Sequence, residues 1–160
     1  MNAQAPELLR VLVPVDFSET SRRALAWAFD YARRAPCELH IVHVVEDHLT
    51  DLLPQGGKER LESEISSITA AAAEELERMV PDAQERECIG PIHRHVVRGR
   101  PAAEILRTID RIGAEMVVMG THGRTGLANL LIGSVAEKIV RHAHCPVVCV
   151  KPGRASEVGA

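Results

Sequence analysis

Apolar residues fall into short β-branched runs separated by longer amphipathic stretches, and this alternation predicts the elements of the fold. Arg10 to Asp16, RVLVPVD, reads as a strand buried on both faces, as in a parallel sheet. Pro14 has no N–H to give a ladder, so it belongs at the strand's exit, and Asp16 falls at the carboxyl edge of the sheet. Ser18 is placed to cap a helix from about Glu19 to Arg34, whose Leu25, Ala28 and Ala32 share one face. Trp27 and Tyr31 on the same helix read as packing residues. Glu38 to Val45 predicts a second strand. Glu46 to Gly57, with Pro54, Gly56 and Gly57, reads as a loop. From Lys58 to Val80 the positions Leu61, Ile65, Ile68, Ala72, Leu76 and Met79 keep helical steps, and Pro81 ends the run.

Ile92 to Val97 predicts a third strand, and Arg98-Gly99-Arg100-Pro101 turns into a helix with Pro101 in its first turn. Ile105, Ile109 and Ile112 form that helix's stripe and Gly113 its C-cap. Met116 to Met119 is a fourth strand, followed by a glycine-punctuated stretch and a helix to about His142. Pro146 to Val150 closes as a fifth strand. The chain therefore predicts an α/β fold: a single-domain, open, five-stranded parallel sheet with helices on both faces, Rossmann-like, joined by right-handed crossovers. One domain is expected over 1–160, with a core of about 8–152 and an expected flexible tail over 153–160.

Composition narrows the function classes. With 160 residues and 46% hydrophobic content, the chain holds one domain with a substantial core. A net charge of -3 provides no global basic field, and 2% aromatic content leaves no base-stacking platform, so nucleic acid is not an expected partner. No basic leader with an apolar core opens the chain and no apolar run reaches spanning length, so membranes are not expected partners and a cytoplasmic location is. Cys37, Cys88, Cys145 and Cys149 form no C-x-x-C pair and read as reduced thiols.

The stretch Gly120 to Ser134, GTHGRTGLANLLIGS, carries the candidate chemistry. Gly120 and Gly123 are expected to take positive φ and allow close backbone approach, while Gly133 and Ser134 sit where the last helix begins. Free amide donors and the positive end of a helix dipole then converge on one point, which suits phosphate. The pattern G-x2-G-x9-G-S is neither a Walker A loop nor a G-x-G-x-x-G fingerprint. If the first and fourth strands are neighbours, in the order 3-2-1-4-5, Asp16 and this loop flank one crevice at the carboxyl ends of the strands. A ribose acceptor beside a phosphate cradle implies a nucleotide.

These residues resemble the universal stress protein family, and in particular its ATP-binding branch. The resemblance covers nearly the whole chain through VPVDFS, IVHVV, GRPAAEI, MVVMGTHGRTGL and IGSVAEKIVRHAHCPVVCVKP. It implies that Asp16 holds ribose and that Pro14, Val15 and the backbone of Val44 line an adenine pocket. Met119 and Gly120 would pass under the nucleotide. Gly123, Arg124, Gly133, Ser134 and Val135 would form the phosphate cradle, mostly through main-chain N–H groups. The implied ligand is ATP, with or without Mg²⁺, and the implied assembly is a cytoplasmic homodimer pairing through the C-terminal strand.

The function expected on these grounds is a dimeric, nucleotide-dependent signalling or sensing module in the stress response, acting on a regulatory protein partner that the sequence does not name. Two alternatives stand beside it: a slow ATP-hydrolysing or phosphoryl-transfer enzyme, and an interaction module with a vestigial pocket. No second carboxylate beside Asp16 and no base matched to a nucleophile are legible, so no catalytic residue is assigned. A receiver domain would place an acidic residue where Val97 and Arg98 stand. Eight histidines are many for this length, and His93/His95 and His142/His144/Cys145 invite a metal reading. His93 and His95 share a strand face, but no second pair follows at a recognisable spacing. They read as surface or capping histidines, with no metal ligand assigned.

Overall fold

A computed structural model describes residues 8–47, 55–80, 90–122 and 132–152. Its strands are β1 (Leu9–Pro14), β2 (Cys37–Val45), β3 (Ile92–Arg98), β4 (Met116–Gly120) and β5 (Val147–Val150), all parallel, in the order β3-β2-β1-β4-β5. The helices are α1 (Glu19–Ala32), α2 (Gln55–Met79), α3 (Pro101–Ile112) and α4 (Ser134–His142). The expected single-domain α/β sheet and strand order are what the structure has.

The core follows from the period of two along the strands. Val11, Leu12 and Val13 are all fully buried, but on opposite faces. Val11 and Val13 pack with Ala24, Leu25 and Ala28 of α1, Leu76 of α2, and Leu39 and Ile41 of β2. Leu12 packs with Val42, Val117 and Met119 of the sheet and with Ile105, Ile109, Ala136 and Ile139 of α3 and α4. Each fully buried branched side chain of this kind contributes about 1.5–3 kcal/mol. With both faces covered, the strands read as continuous apolar runs.

Helix ends carry the signals expected of them. Ser18 caps α1, its Oγ accepting from the Ser21 N–H at 3.2 Å. Pro101 opens α3 and Gly113 closes it in the left-handed region at φ 62°, a conformation in which a Cβ would be strained. Two expectations change. α2 begins at Gln55, so Gly56 and Gly57 lie inside the helix rather than in a loop. Ile68 is 54% exposed although it keeps the helical step of Ile65 and Ala72, because it faces the mouth of a cavity instead of the core. Trp27 is also exposed, its ring stacked on Tyr31 at 5.6 Å.

Candidate functional site

A cavity of about 520 Å³ opens at the carboxyl ends of the strands, over the crevice between β1 and β4. This is where winding reverses in the order β3-β2-β1-β4-β5, the place where open α/β sheets take ligands. Pro14, Val15, Asp16, Val44, Met119, Gly120, Gly133, Ser134 and Val135 all line it. Gly123 and Arg124 lie outside the described residues.

The β1 side is shaped by a strained turn. The Val15 N–H donates to the Val42 carbonyl at 2.8 Å, prolonging the β1–β2 ladder by one step before the chain departs. Phe17 then takes φ 65°, the left-handed region, at a cost of roughly 1–3 kcal/mol for a non-glycine residue. Two contacts hold it there. The Phe17 ring stacks on His43 at 4.3 Å, and His43 Nδ1–H donates to the Val15 carbonyl at 2.8 Å. A carbonyl can only accept, so this bond fixes the proton on Nδ1. Asp16 Oδ1 accepts from the Ser18 N–H at 3.0 Å and from the Ser18 hydroxyl at 2.5 Å, which orients its carboxylate at the rim of the cavity.

On the β4 side the glycines act through space. Gly120 is absent from the positive-φ residues, contrary to expectation. What requires it is α1: a Cβ there would sit 2.8 Å from Thr20 Cγ2 and 3.0 Å from the Thr20 carbonyl carbon. Gly133 is the N-cap of α4 at φ -75°, ψ 157°, a conformation open to any residue. Its N–H donates to the Thr121 carbonyl at 2.6 Å, and its carbonyl accepts from the Glu137 N–H at 2.9 Å. Gly133 is therefore not a free donor of the expected cradle. The N–H groups of Ser134, Val135 and Ala136 instead have no carbonyl one turn back within the helix, and the positive end of the α4 dipole lies behind them.

Thr121 ties this region together. Its N–H donates to the Val150 carbonyl at 3.0 Å, so the exit of β4 is fastened both to β5 and to the start of α4. Together with His43 and Ile68, it lines the cavity without having been singled out in the sequence. Threonine after a strand and histidine in an alternating run carry no motif. An adjoining recess shares Glu46, Pro101, Ser134 and Val135 with the cavity and adds Arg100, Lys138 and His142, so the cations Arg100 and Lys138 line it together with Ser134 at the start of α4.

The histidine sets separate. His144 faces Asp110 at 3.4 Å, while Cys145 packs into the α3/α4 side of the core, so His142, His144 and Cys145 do not converge. His93 and His95 do gain neighbours, and not as surface or capping groups alone. The β2–β3 register sets His40 beside His93, and Glu38 lies two residues earlier on the same face. His40 is 8% exposed. Burial lowers its pKa, opposed by the hydrogen bond that its Nε2–H donates to Glu38. Burial also pushes His95 down to about 4, with the charges of His40, Arg111 and His93 adding to the effect. Burial raises the thiols of Cys37, Cys145 and Cys149 above their ordinary value; Cys88 lies outside the described residues.

Residues 8–151 match the model of the universal stress protein family. The universal stress protein MJ0531 of Methanocaldococcus jannaschii is 34% identical over 142 residues, covering 89% of this chain and 81% of its own length. Rv2005c of Mycobacterium tuberculosis is 34% identical over 146 residues, but this chain spans only 46% of its length. Among solved structures, MJ0577 of M. jannaschii superposes with a TM-score of 0.75 at 27% identity, covering 91% of this chain and 97% of that one. A universal stress protein from Archaeoglobus fulgidus, solved in complex with dAMP, gives a TM-score of 0.59 at 26% identity, covering 91% and 98%. With the family model spanning nearly every residue, and the sheet order shared with solved members, the chain belongs to the universal stress protein family.

Proposed function

We propose that the protein is a dimeric adenine-nucleotide-binding module of stress signalling, with ATP as its ligand. The observation that carries this reading is that Asp16 and the first turn of α4 line the same 520 Å³ cavity. A volume of that order is usual for small-molecule sites, which fall at about 300–1,000 Å³. The residues fit the group. Val15, Val44, Ile105 and Met119 offer apolar surface to a base, Asp16 an acceptor for ribose hydroxyls, and Ser134 to Ala136 main-chain donors for phosphate oxygens. Arg100 and Lys138 in the adjoining recess favour a polyphosphate over a nucleoside. The relative solved with dAMP supports the same ligand class.

Homodimerisation through β5 belongs to this reading. Among the described residues, Val147–Val150 pairs on one side only, with β4, and its residues stay half-buried in the monomer. An apolar edge of this kind invites pairing, and a two-fold axis makes two copies of β5 antiparallel. Native mass spectrometry of freshly purified protein, followed by calorimetric titration with ATP, ADP and AMP, tests the proposal. A dimer that binds ATP saturably supports it. Absence of saturable adenine-nucleotide binding by folded protein overturns it.

A further inference from the structure

At the amino end of the sheet, opposite the cavity, four polar side chains meet on one face of β2 and β3. Glu38 and His40 come from β2, and His93 and His95 from β3, each pair at i, i+2 and so on one face. Parallel register sets His40 beside His93. His40 Nε2 lies 3.2 Å from Glu38 Oε1, and His93 Nε2 lies 3.8 Å from Glu38 Oε2. One ligand atom each from Glu38, His40 and His93 falls within 4.8 Å of the others, the one such group among the described residues.

The two Glu38 contacts run through different carboxylate oxygens, and one ligand atom from each residue lies within 4.8 Å of the others. Ligands at 2.0–2.1 Å from Zn²⁺ stand about 3.3–3.4 Å apart, so small rotations of Glu38 and His93 would close the set. Both side chains keep access to solvent, at 24% and 46% exposure, which leaves an entry path. The donor set is two imidazoles and a carboxylate, a combination that suits Zn²⁺ and leaves a fourth position for water.

The second feature is a built partner for the buried ligand. His40 Nδ1 lies 3.0 Å from His95 Nε2. If His40 offers its Nε2 lone pair to a metal, its Nδ1 carries the proton and donates to His95, the outer-shell arrangement that fixes tautomer and ring orientation in metal sites. Two cations stand near the group: Arg10, engaged with the Gly113 carbonyl at 3.0 Å and Glu115 at 3.6 Å, and Arg111, whose charge acts on His95 and whose Nη2 donates to Thr108 Oγ1 at 3.5 Å.

We infer that Glu38, His40 and His93 are the protein ligands of a Zn²⁺ site with one open position, and that His95 is the residue that positions His40. The site clamps the edge strand β3 to β2. It lies at the amino ends of the strands and so is separate from the cavity, where β2 contributes its other end.

Titrating Zn²⁺ into full-length, chelator-treated protein, with Co²⁺ as a spectroscopic probe, tests the inference. Wild type is expected to bind one Zn²⁺ per chain saturably, and Co²⁺ to give the intense visible absorption of a four-coordinate ion. His93→Ala and Glu38→Gln, at partly exposed positions, should abolish that band. His95→Leu should weaken Zn²⁺ binding about tenfold to a hundredfold and shift the Co²⁺ band, while His95→Gln, whose amide oxygen can accept the same N–H, should restore most of it. His142→Ala/His144→Ala should change nothing. Wild type without saturable Zn²⁺ binding overturns the inference. So does a folded His93→Ala protein with unchanged affinity, since the metal would then sit on other histidines.

Discussion

At the carboxyl ends of β1 and β4 the chain presents main-chain groups, glycine clearance and a helix terminus, with the carboxylates of Asp16 and Glu46 lining the same cavity. At the amino ends of β2 and β3 it presents side chains: Glu38, His40, His93 and His95. The first arrangement suits, on the proposed reading, a ligand recognised by shape and delocalised phosphate charge. The second can hold a point charge. One sheet supports both because the same register that carries β2 from Glu38 to Val44 separates its two ends by the full length of the strand.

The cavity end is most sensitive to substitution at Gly133. Its backbone suits any residue, so Gly133→Val introduces little strain, and the loss of a good N-cap costs about 1 kcal/mol. Its added branch enters the cavity beside Ser134. Losing two or three charge-assisted hydrogen bonds at about 1.5–3 kcal/mol each weakens ATP binding a few hundredfold or more. Titration of a fluorescent ATP analogue reads this, and Zn²⁺ affinity in the same variant should not move. Unchanged ATP affinity in folded protein would remove α4 from the phosphate site.

Asp16→Ala is expected to give a smaller effect, a loss of about tenfold to a hundredfold, because under the proposed function it removes ribose contacts and spares the α4 donors. Asp16 also holds the Ser18 N–H and hydroxyl, so the turn itself loosens. Asp16→Asn separates the two contributions. Its amide oxygen can still accept from Ser18, and a variant that binds ATP like wild type would assign Asp16 to the turn alone.

The two edges of the sheet differ as its two ends do. β3 carries His93, Arg94 and Arg98, polar groups that blunt an edge, whereas β5 is VVCV. Pro146 and Val150 give their carbonyls to β4, so in a parallel ladder Val147 and Cys149 direct their backbone groups outward. Cys149→Pro deletes an outward donor without touching the β4 ladder. Two lost bonds per two-fold pair, at about 1 kcal/mol net each, should weaken the dimer roughly thirtyfold. Sedimentation velocity across micromolar concentrations checks this. A wild type that is monomeric there removes the dimer altogether.

What the sequence disclosed follows the same division. Strands buried on both faces spell themselves as apolar runs, so RVLVPVD and MVVM place β1 and β4 without a structure. The glycines mark the loop and helix start, although the reason for Gly120 was invisible: it is contact with Thr20 of α1, a tertiary approach, and not a backbone angle. Ile68 keeps a core period but faces the cavity, since periodicity reports a face and not what covers it. The histidines were the hardest to read. His93 and His95 suggested a site that lacked a second pair, and the missing pair was Glu38 and His40, brought in by the β2–β3 register that sets His40 beside His93.

The smallest expected effect concerns the fold's own need for metal. Both faces of the sheet are packed by apolar side chains that do not depend on Glu38, His40 or His93, so chelation with EDTA should leave the far-UV circular dichroism unchanged. Zn²⁺ should nevertheless stabilise the native state by mass action, because the four side chains converge only once β3 is paired to β2. At a free concentration 100 times the dissociation constant, that linkage is worth about 2.7 kcal/mol. For a chain of this size it corresponds to a rise in Tm of about 5–10 °C. Differential scanning of the Zn²⁺-loaded and chelated protein should therefore show two transitions of the same shape at different temperatures, and His93→Ala should show one temperature for both. Loss of secondary structure on chelation at room temperature would make the metal structural. Coincident wild-type transitions would deny that the amino-terminal cluster binds it at all.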